Sequence, residues 1–136
     1  MTEVLATGAT GNHQTSEGLQ PFGTELILDL VGCDLAAISS GERIATFATD
    51  LCRLIDMKAY GPPFVERFGL ADLKTAGYTL VQLIETSSIV AHFSEAWLTA
   101  YVNVFSCRPF DVDVAAAYVQ STFGAQGARR TVLVRR

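Results

Sequence analysis

The chain has few of the residues on which metal centres and disulfide scaffolds depend. Among its 136 residues are two histidines and three cysteines, and no two cysteines are spaced as Cys-x-x-Cys. Two imidazoles are too few for a histidine-rich metal centre, and the scattered Cys33, Cys52 and Cys107 predict neither a zinc site nor a disulfide framework. We therefore expect no bound metal and a reducing compartment, which is the cytoplasm.

Positive charge and long apolar runs are also scarce. Lys and Arg number 10 against 14 Asp and Glu, a formal net charge of −4, so the basic surface typical of nucleic-acid binding is not expected. No apolar run approaches the roughly 18 residues that a membrane helix needs. We expect neither a nucleic-acid partner nor a membrane partner. With 49% hydrophobic residues, the chain is apolar enough to fold as one domain.

The first segment of the chain differs from the rest in composition. Residues 1–21 are rich in Thr, Gly, Ser, Asn and Gln and show no period, so we interpret them as a flexible leader before a domain at 22–136. Within the leader, Thr-Gly-Ala-Thr-Gly-Asn at 7–12 imitates a dinucleotide-binding turn. The motif is incomplete, because its third glycine would fall at position 14, which is Gln14.

The apolar pattern beyond the leader predicts strands and two helices. Strands are predicted at 24–31, 65–68, 78–86, 89–94, 98–107 and 131–134, and helices at 41–56 and 112–123. A capping box of Ser39 and Glu42 is predicted to start the first helix, and the second is expected to turn Val114 and Tyr118 inward. This order predicts an α+β fold, a two-layer sandwich in which a mostly antiparallel sheet carries two helices on one face.

The same alternation leaves one sheet face without a covering layer. That face is predicted to carry Tyr101, Asn103 and Phe105 rather than charged residues. An apolar face of this kind is typical of a subunit contact, so we expect a homodimer.

Hydroxyl, imidazole and thiol side chains are concentrated between residues 83 and 107. A tight turn at Ser87 and Ser88 is predicted between two strands, with His92 on the second strand and Cys107 at the end of the next. We predict that Ser87, His92 and Cys107 converge on one pocket. Such a set of groups is suited to nucleophilic or proton-transfer chemistry.

These residues resemble the active-site region of the small bacterial and archaeal S-adenosylmethionine decarboxylases. In that family a serine is followed five residues later by a histidine, and fifteen residues further by a cysteine in a Phe-Thr/Ser-Cys context. Ser87, His92 and Cys107 have this spacing, and the cysteine follows Phe105 and Ser106. Asp-Leu-Val-Gly-Cys-Asp at 29–34 is similar to the Tyr-Gly-Cys-Asp end of the family's first strand.

The resemblance implies a self-processing, pyruvoyl-dependent decarboxylase of polyamine biosynthesis. The chain would cut itself between Thr86 and Ser87, and Ser87 would become the pyruvoyl cofactor, which accepts the electrons left behind by carbon dioxide. By the same resemblance, His92 assists processing and Cys107 reprotonates the substrate carbon. The implied small-molecule substrate is S-adenosylmethionine, or a simpler amino acid such as arginine or ornithine. The expected substrate contacts are Phe64, Phe68, Glu85, Ser88 and Phe105.

The cleavage site departs from the family pattern. The family normally has Glu-Ser where this chain has Thr86 and Ser87, and Ser88 and Val90 replace a histidine and a hydroxyl residue. Moreover, a serine pair is common in hairpin turns, a lone histidine is often a core residue, and a cysteine at a strand end is often inert. The alternative is a non-processing homologue that keeps the fold as a ligand-binding or regulatory subunit.

Overall fold

The structure consists of one six-stranded sheet with helices packed against one of its faces. It is a computed structural model that describes residues 20–136, so residues 1–19 of the predicted leader, including the glycine motif at 7–12, lie outside the described residues. The elements in chain order are β1 (Gly23–Val31), α1 (Leu35–Ile38), α2 (Gly41–Leu54), β2 (Phe64–Phe68), β3 (Gly77–Ile84), β4 (Ser87–Ser94), β5 (Thr99–Ser106), α3 (Val112–Thr122) and β6 (Gly127–Arg135).

The sheet is antiparallel throughout. Its strand order is β2-β3-β4-β5-β1-β6, so β1 lies between β5 and β6, and β2 and β6 form the two edges. Period-two alternation buries Leu26, Leu28 and Leu30 of β1, as predicted. The α+β class and the two-layer arrangement predicted from the sequence are confirmed, with one short helix in addition.

The core between the sheet and the two long helices is centred on aromatic rings. The rings of Phe47 on α2 and Phe123, just after α3, lie 4.7 Å apart, and the ring of Phe93 on β4 lies 5.0 Å from that of Phe123. All three side chains are at most 3% exposed. These contacts fix both helices on the face of the sheet that also carries Ser87.

Two local predictions about the helices are wrong. The N-cap of α2 is Ser40, whose hydroxyl accepts the Arg43 N–H at 3.1 Å; the Ser39 hydroxyl instead donates to the Leu35 carbonyl, because the short helix α1 ends there. On α3, Val114 is 41% exposed. The stripe that faces the sheet is formed by Ala115, Val119 and Phe123 instead.

The strand predictions are largely confirmed. The last strand is longer than predicted, because β6 pairs with β1 along its whole length, and it forms an edge as expected. Its arginines form two ion pairs, Arg130 with Asp113 and Arg135 with Glu25. Among residues 20–136, no helix is long and apolar enough to cross a membrane.

The second face of the sheet is the one opposite Leu26, Leu28 and Leu30, and we call it the open face. One row of register partners across it is Phe64, Val81, Val90, Asn103, Ile27 and Thr131. The next row is Glu66, Thr79, His92, Tyr101, Asp29 and Arg129. The first row is largely apolar, whereas the second carries Glu66, Asp29 and Arg129, so the prediction of a face without charged residues is wrong. Tyr101 in the second row is 38% exposed.

Candidate active site

The hairpin that joins β3 and β4 has a two-residue loop, Glu85 and Thr86. Ile84 is the register partner of Ser87, so Ser87 is the first residue of β4 and not part of the turn. The predicted turn at Ser87 and Ser88 is therefore two residues too late. Thr86 has a φ of 59°, the left-handed conformation that tight hairpin loops favour and that a β-branched residue rarely adopts.

Ser87 lies next to Cys107 across the end of the sheet. Because Ser88 pairs with Phe105 and the two strands run antiparallel, the residue before Ser88 lies beside the segment that follows Phe105. The Ser87 hydroxyl oxygen accepts the Cys107 N–H at 3.1 Å and lies 3.9 Å from the Cys107 sulfur. Ser87 is only 8% exposed, so its hydroxyl is largely shielded from water.

Cys107 is the thiol whose surroundings favour ionisation. The hydrogen bond with Thr86, whose Oγ1 lies 2.7 Å from the sulfur, lowers the pKa of Cys107 most, and outweighs the opposing effect of partial burial. The hydrogen bond with Ser87, the backbone N–H and the charge of Arg108 lower this pKa further.

The other two cysteines differ from Cys107. Burial raises the pKa of Cys33 to about 11 and raises that of Cys52, because a thiolate is poorly solvated in the core. Both side chains belong to the hydrophobic core cluster. Of the three thiols, Cys107 is therefore the one suited to proton transfer.

His92 does not join Ser87 and Cys107 within one chain. It lies five residues along β4 from Ser87, a distance of roughly 16 Å, and the odd spacing puts it on the open face while Ser87 points toward the helices. The predicted convergence thus holds for Ser87 and Cys107 and is wrong for His92 in the single chain. The reason is that β4 is a regular strand from Ser87 onward, so side chains five residues apart lie on opposite faces of the sheet.

The partner of His92 is Thr79, a residue that sequence reasoning missed. The two residues are register partners on β3 and β4, and the Thr79 hydroxyl lies 3.1 Å from His92 Nδ1. This contact orients the ring and leaves Nε2 for another group. The strand register could have revealed the pair, but only once the loop had been placed at Glu85 and Thr86.

A cavity of about 500 Å³ adjoins His92 on the open face. Its lining is mainly aromatic and hydroxylic: Lys74, Thr75, Tyr78, Thr79, His92, Phe93, Ser94, Trp97 and Tyr101. The Lys74 ammonium lies 5.1 Å from the centre of the Trp97 ring. This end of β4 is therefore exposed and adjoins a cavity, and we call it the open end. By contrast, the start of β4 is buried, and we call the group formed by Thr86, Ser87 and Cys107 the closed corner.

The predicted substrate contacts divide into two groups. Ser88 and Phe105 are register partners on the open face beside the hairpin, and Glu85 is exposed in its loop, so these three border the Ser87 corner. Phe64 and Phe68 do not, because they lie on the edge strand β2, which is separated from β4 by β3. Within one chain these two rings therefore lie away from Ser87, and their role as substrate contacts stays a prediction.

The surroundings of Ser87 fit a pyruvoyl group made from this residue. An oxygen at position 87 already accepts the Cys107 N–H, and a carbonyl oxygen there could accept the same hydrogen bond. The Cys107 sulfur lies 3.9 Å from the same oxygen. Across residues 20–136, no three His, Cys, Asp or Glu side chains are grouped so that they could bind a metal ion.

The chain belongs to the S-adenosylmethionine decarboxylase family. The family model for S-adenosylmethionine decarboxylase matches residues 24–136, which confirms the resemblance seen in the sequence. Among solved structures, the adenosylmethionine decarboxylase from Aquifex aeolicus VF5 is similar, with a TM-score of 0.73 and 20% identity over 85% of this chain and 92% of that chain. At this identity the likeness shows the fold. No curated protein matches the chain.

Proposed function

We propose that this protein is a pyruvoyl-dependent decarboxylase of polyamine biosynthesis that acts on S-adenosylmethionine after cutting itself between Thr86 and Ser87. The observation that carries the proposal is the shielded Ser87 hydroxyl, placed beside the Cys107 thiol and directly after Thr86 in its left-handed conformation. Membership of the decarboxylase family supports the reaction class.

Self-cleavage uses the hydroxyl of Ser87 as an internal nucleophile. Its oxygen attacks the carbonyl carbon of Thr86, and the peptide C–N bond breaks as the nitrogen takes up a proton, which leaves an ester. Loss of the Ser87 α-proton then expels the Thr86 carboxylate, and water replaces the nitrogen, which leaves as ammonia. The left-handed Thr86 supports this chemistry, because such a conformation costs of order 1–3 kcal/mol and cleavage releases it.

The residues around position 87 then serve decarboxylation. A pyruvoyl group supplies an electron sink that no ordinary side chain provides. We expect that the Cys107 N–H, which bonds to the Ser87 oxygen, would orient an oxygen at position 87, and that the nearby Cys107 thiol would deliver a proton to the substrate carbon after carbon dioxide has left.

His92 can serve Ser87 only from a second copy of the chain. In its own chain it is roughly 16 Å away along the strand and on the opposite face. The open face, with its apolar row and the exposed His92, is the surface on which a second copy would pack. We infer a homodimer in which the Thr79 and His92 pair of one copy acts on the Ser87 of the other.

The substrate contacts nearest to Ser87 favour a cationic substrate with an aromatic part. Phe105 offers a ring that already stacks on Phe22, with ring centres 6.2 Å apart, and Glu85 offers a carboxylate in the adjoining loop. The sulfonium and adenine of S-adenosylmethionine match a carboxylate and an aromatic ring. Arginine and ornithine lack the aromatic part.

The test is carbon dioxide release from carboxyl-labelled substrates. We expect release from S-adenosylmethionine, less from ornithine and arginine, and complete inhibition by phenylhydrazine, which blocks a ketone. Release that phenylhydrazine leaves unchanged would contradict the pyruvoyl assignment. No release, together with calorimetric binding of S-adenosylmethionine by an uncut chain, would instead identify a non-processing, ligand-binding homologue.

A further inference from the structure

The Thr86 side chain occupies a position that links the bond to be cut with the thiol beside it. Its Oγ1 lies 2.7 Å from the Cys107 sulfur and 2.6 Å from the carbonyl oxygen of Glu85. We propose that Thr86 is a positioning residue: it fixes the Cys107 sulfur beside Ser87 in the uncut chain, so that the Cys107 thiolate accepts the Ser87 proton during self-cleavage. The inference rests on the proposed self-cleavage.

The Thr86 hydroxyl has one hydrogen for two acceptors. When Cys107 is a thiol, its S–H donates to Thr86 Oγ1 and the Thr86 hydroxyl donates to the Glu85 carbonyl. When Cys107 is a thiolate, the Thr86 hydroxyl turns to the sulfur, and the Glu85 carbonyl lies in an exposed loop where water replaces the lost donor. The switch between the two arrangements therefore costs little.

Cys107 is the titratable side chain that contacts Ser87 among the described residues of the same chain. The Ser87 Oγ lies 3.9 Å from its sulfur, and the Arg108 guanidinium, which follows it in the chain, favours the thiolate. The facing hairpin contributes one further charged side chain, Glu85, which is exposed to solvent. A thiolate at this place is a base that needs no help from the distant imidazole in the first step.

The proton transfer balances without another reactant. The Ser87 O–H proton passes to the Cys107 sulfur as the oxygen bonds to the Thr86 carbonyl carbon. A proton then reaches the Ser87 nitrogen from the Cys107 thiol as the C–N bond breaks, so Cys107 ends the step as it began.

Cleavage ends the positioning by Thr86. Once the ester is eliminated, Thr86 is a chain end that carries a new carboxylate, and a negative charge near the sulfur disfavours the thiolate. Cys107 then takes up a proton from water and remains a thiol, which is the state needed to reprotonate a substrate carbon. One thiol thus serves as base before cleavage and as acid after it.

Two substitutions separate the hydroxyl from the shape of the side chain. Thr86→Val keeps the β-branch and the volume but removes the hydroxyl, and Thr86→Ser keeps the hydroxyl but removes the methyl group. A loss seen in the valine variant and rescued in the serine variant belongs to the hydroxyl. A loss shared by both variants belongs to packing or to the backbone of the loop.

The experiment has two readouts on the full chain. First, the rate of Cys107 alkylation by iodoacetamide is followed against pH in a Ser87→Ala background, which stays uncut. We expect the midpoint to move to higher pH in Thr86→Val and to stay in place in Thr86→Ser. Second, self-cleavage is timed against pH with Ser87 intact. We expect Thr86→Val to slow it by about 10- to 100-fold, part of the 10²–10⁴ that a positioned base contributes, with recovery at high pH.

Each outcome decides the proposal. An unchanged alkylation midpoint in Thr86→Val, or slow cleavage that high pH does not recover, overturns it. A parent chain that never cuts itself overturns self-cleavage and the role of Cys107 as its base, while the alkylation midpoints still report whether Thr86 fixes the sulfur. The failure of this inference is thereby distinguished from the failure of the proposed function.

Discussion

The two ends of strand β4 carry polar groups in contrasting surroundings. At its start, Ser87 is 8% exposed and is tied by hydrogen bonds to Cys107, beside Thr86. Toward its end, the exposed His92 adjoins a cavity of about 500 Å³. The closed corner is suited to chemistry on the chain's own backbone, whereas the open end is suited to receiving a group from outside. The difference suggests two half-sites that a dimer would bring together.

The largest effect is expected from removal of the hydroxyl in the closed corner. Ser87→Ala should abolish self-cleavage completely, because no other oxygen of residue 87 can attack the Thr86 carbonyl. Ser121→Ala, an exposed serine of α3, is the matched control and should cut at the parent rate. Intact mass over time checks both variants, and fragments from the Ser87→Ala chain would show that the nucleophile lies elsewhere.

The next effect concerns the open end. His92→Ala should slow cleavage by about 10²–10⁴, the contribution of a positioned acid or base. Mixing this variant with Ser87→Ala should restore cleavage of the His92→Ala chains, since the mixed dimer pairs an intact Ser87 with an intact imidazole. If the mixture cuts no faster than His92→Ala alone, His92 does not act across a dimer.

A smaller effect distinguishes the thiols. Because the pKa of Cys107 is lowered and that of Cys33 is raised to about 11, Cys107 is ionised at lower pH than Cys33, and the raised pKa of Cys52 places it with Cys33. In the uncut Ser87→Ala chain at neutral pH, iodoacetamide should modify Cys107 at least roughly tenfold faster than the other two. Peptide mapping checks the order of modification. Equal rates would contradict the claim that Cys107 ionises more readily than Cys33 and Cys52.

The smallest effect concerns the stability of the open end. Arg67 binds Glu95 through two hydrogen bonds, of 2.7 and 2.9 Å, which lower the pKa of Glu95. A carboxyl with a lowered pKa stabilises the fold above its ordinary pKa, and this contribution is lost as the pH falls through the lower, folded-state value. Glu95→Gln should therefore cost up to about 1 kcal/mol at neutral pH and nothing in strong acid. Urea unfolding at the two pH values measures the difference, and an equal cost at both would contradict it.

The sequence predicts most of the fold, because period and turn chemistry are local. The alternation of β1, the stop of α3 at Gly124 with its φ of 60°, and the edge strand β6 all follow from residues close together in the chain. The short helix α1 is not predictable from the pattern, because four residues show no period, and the cap of α2 consequently lies one serine later than predicted.

The site is predicted only in part, and the hairpin explains why. The spacing of Ser87 and Cys107 leads correctly to a contact, because strand pairing brings these positions together. Moving the loop by two residues, to Glu85 and Thr86, turns Ser87 to the face opposite His92. Family spacing indicates that two residues are needed, but it does not indicate whether they act within one chain or between two copies. The expected cytoplasmic location and the homodimer remain predictions.

The most direct test of the account is the intact mass of the freshly purified protein, followed during incubation at neutral pH. We expect the full-length mass to give way to two fragments, residues 1–86 and 87–136, the second with a blocked first residue whose mass fits a pyruvoyl group in place of Ser87. A single, unchanged full-length mass after prolonged incubation would contradict the claim that the Ser87 corner cuts its own backbone.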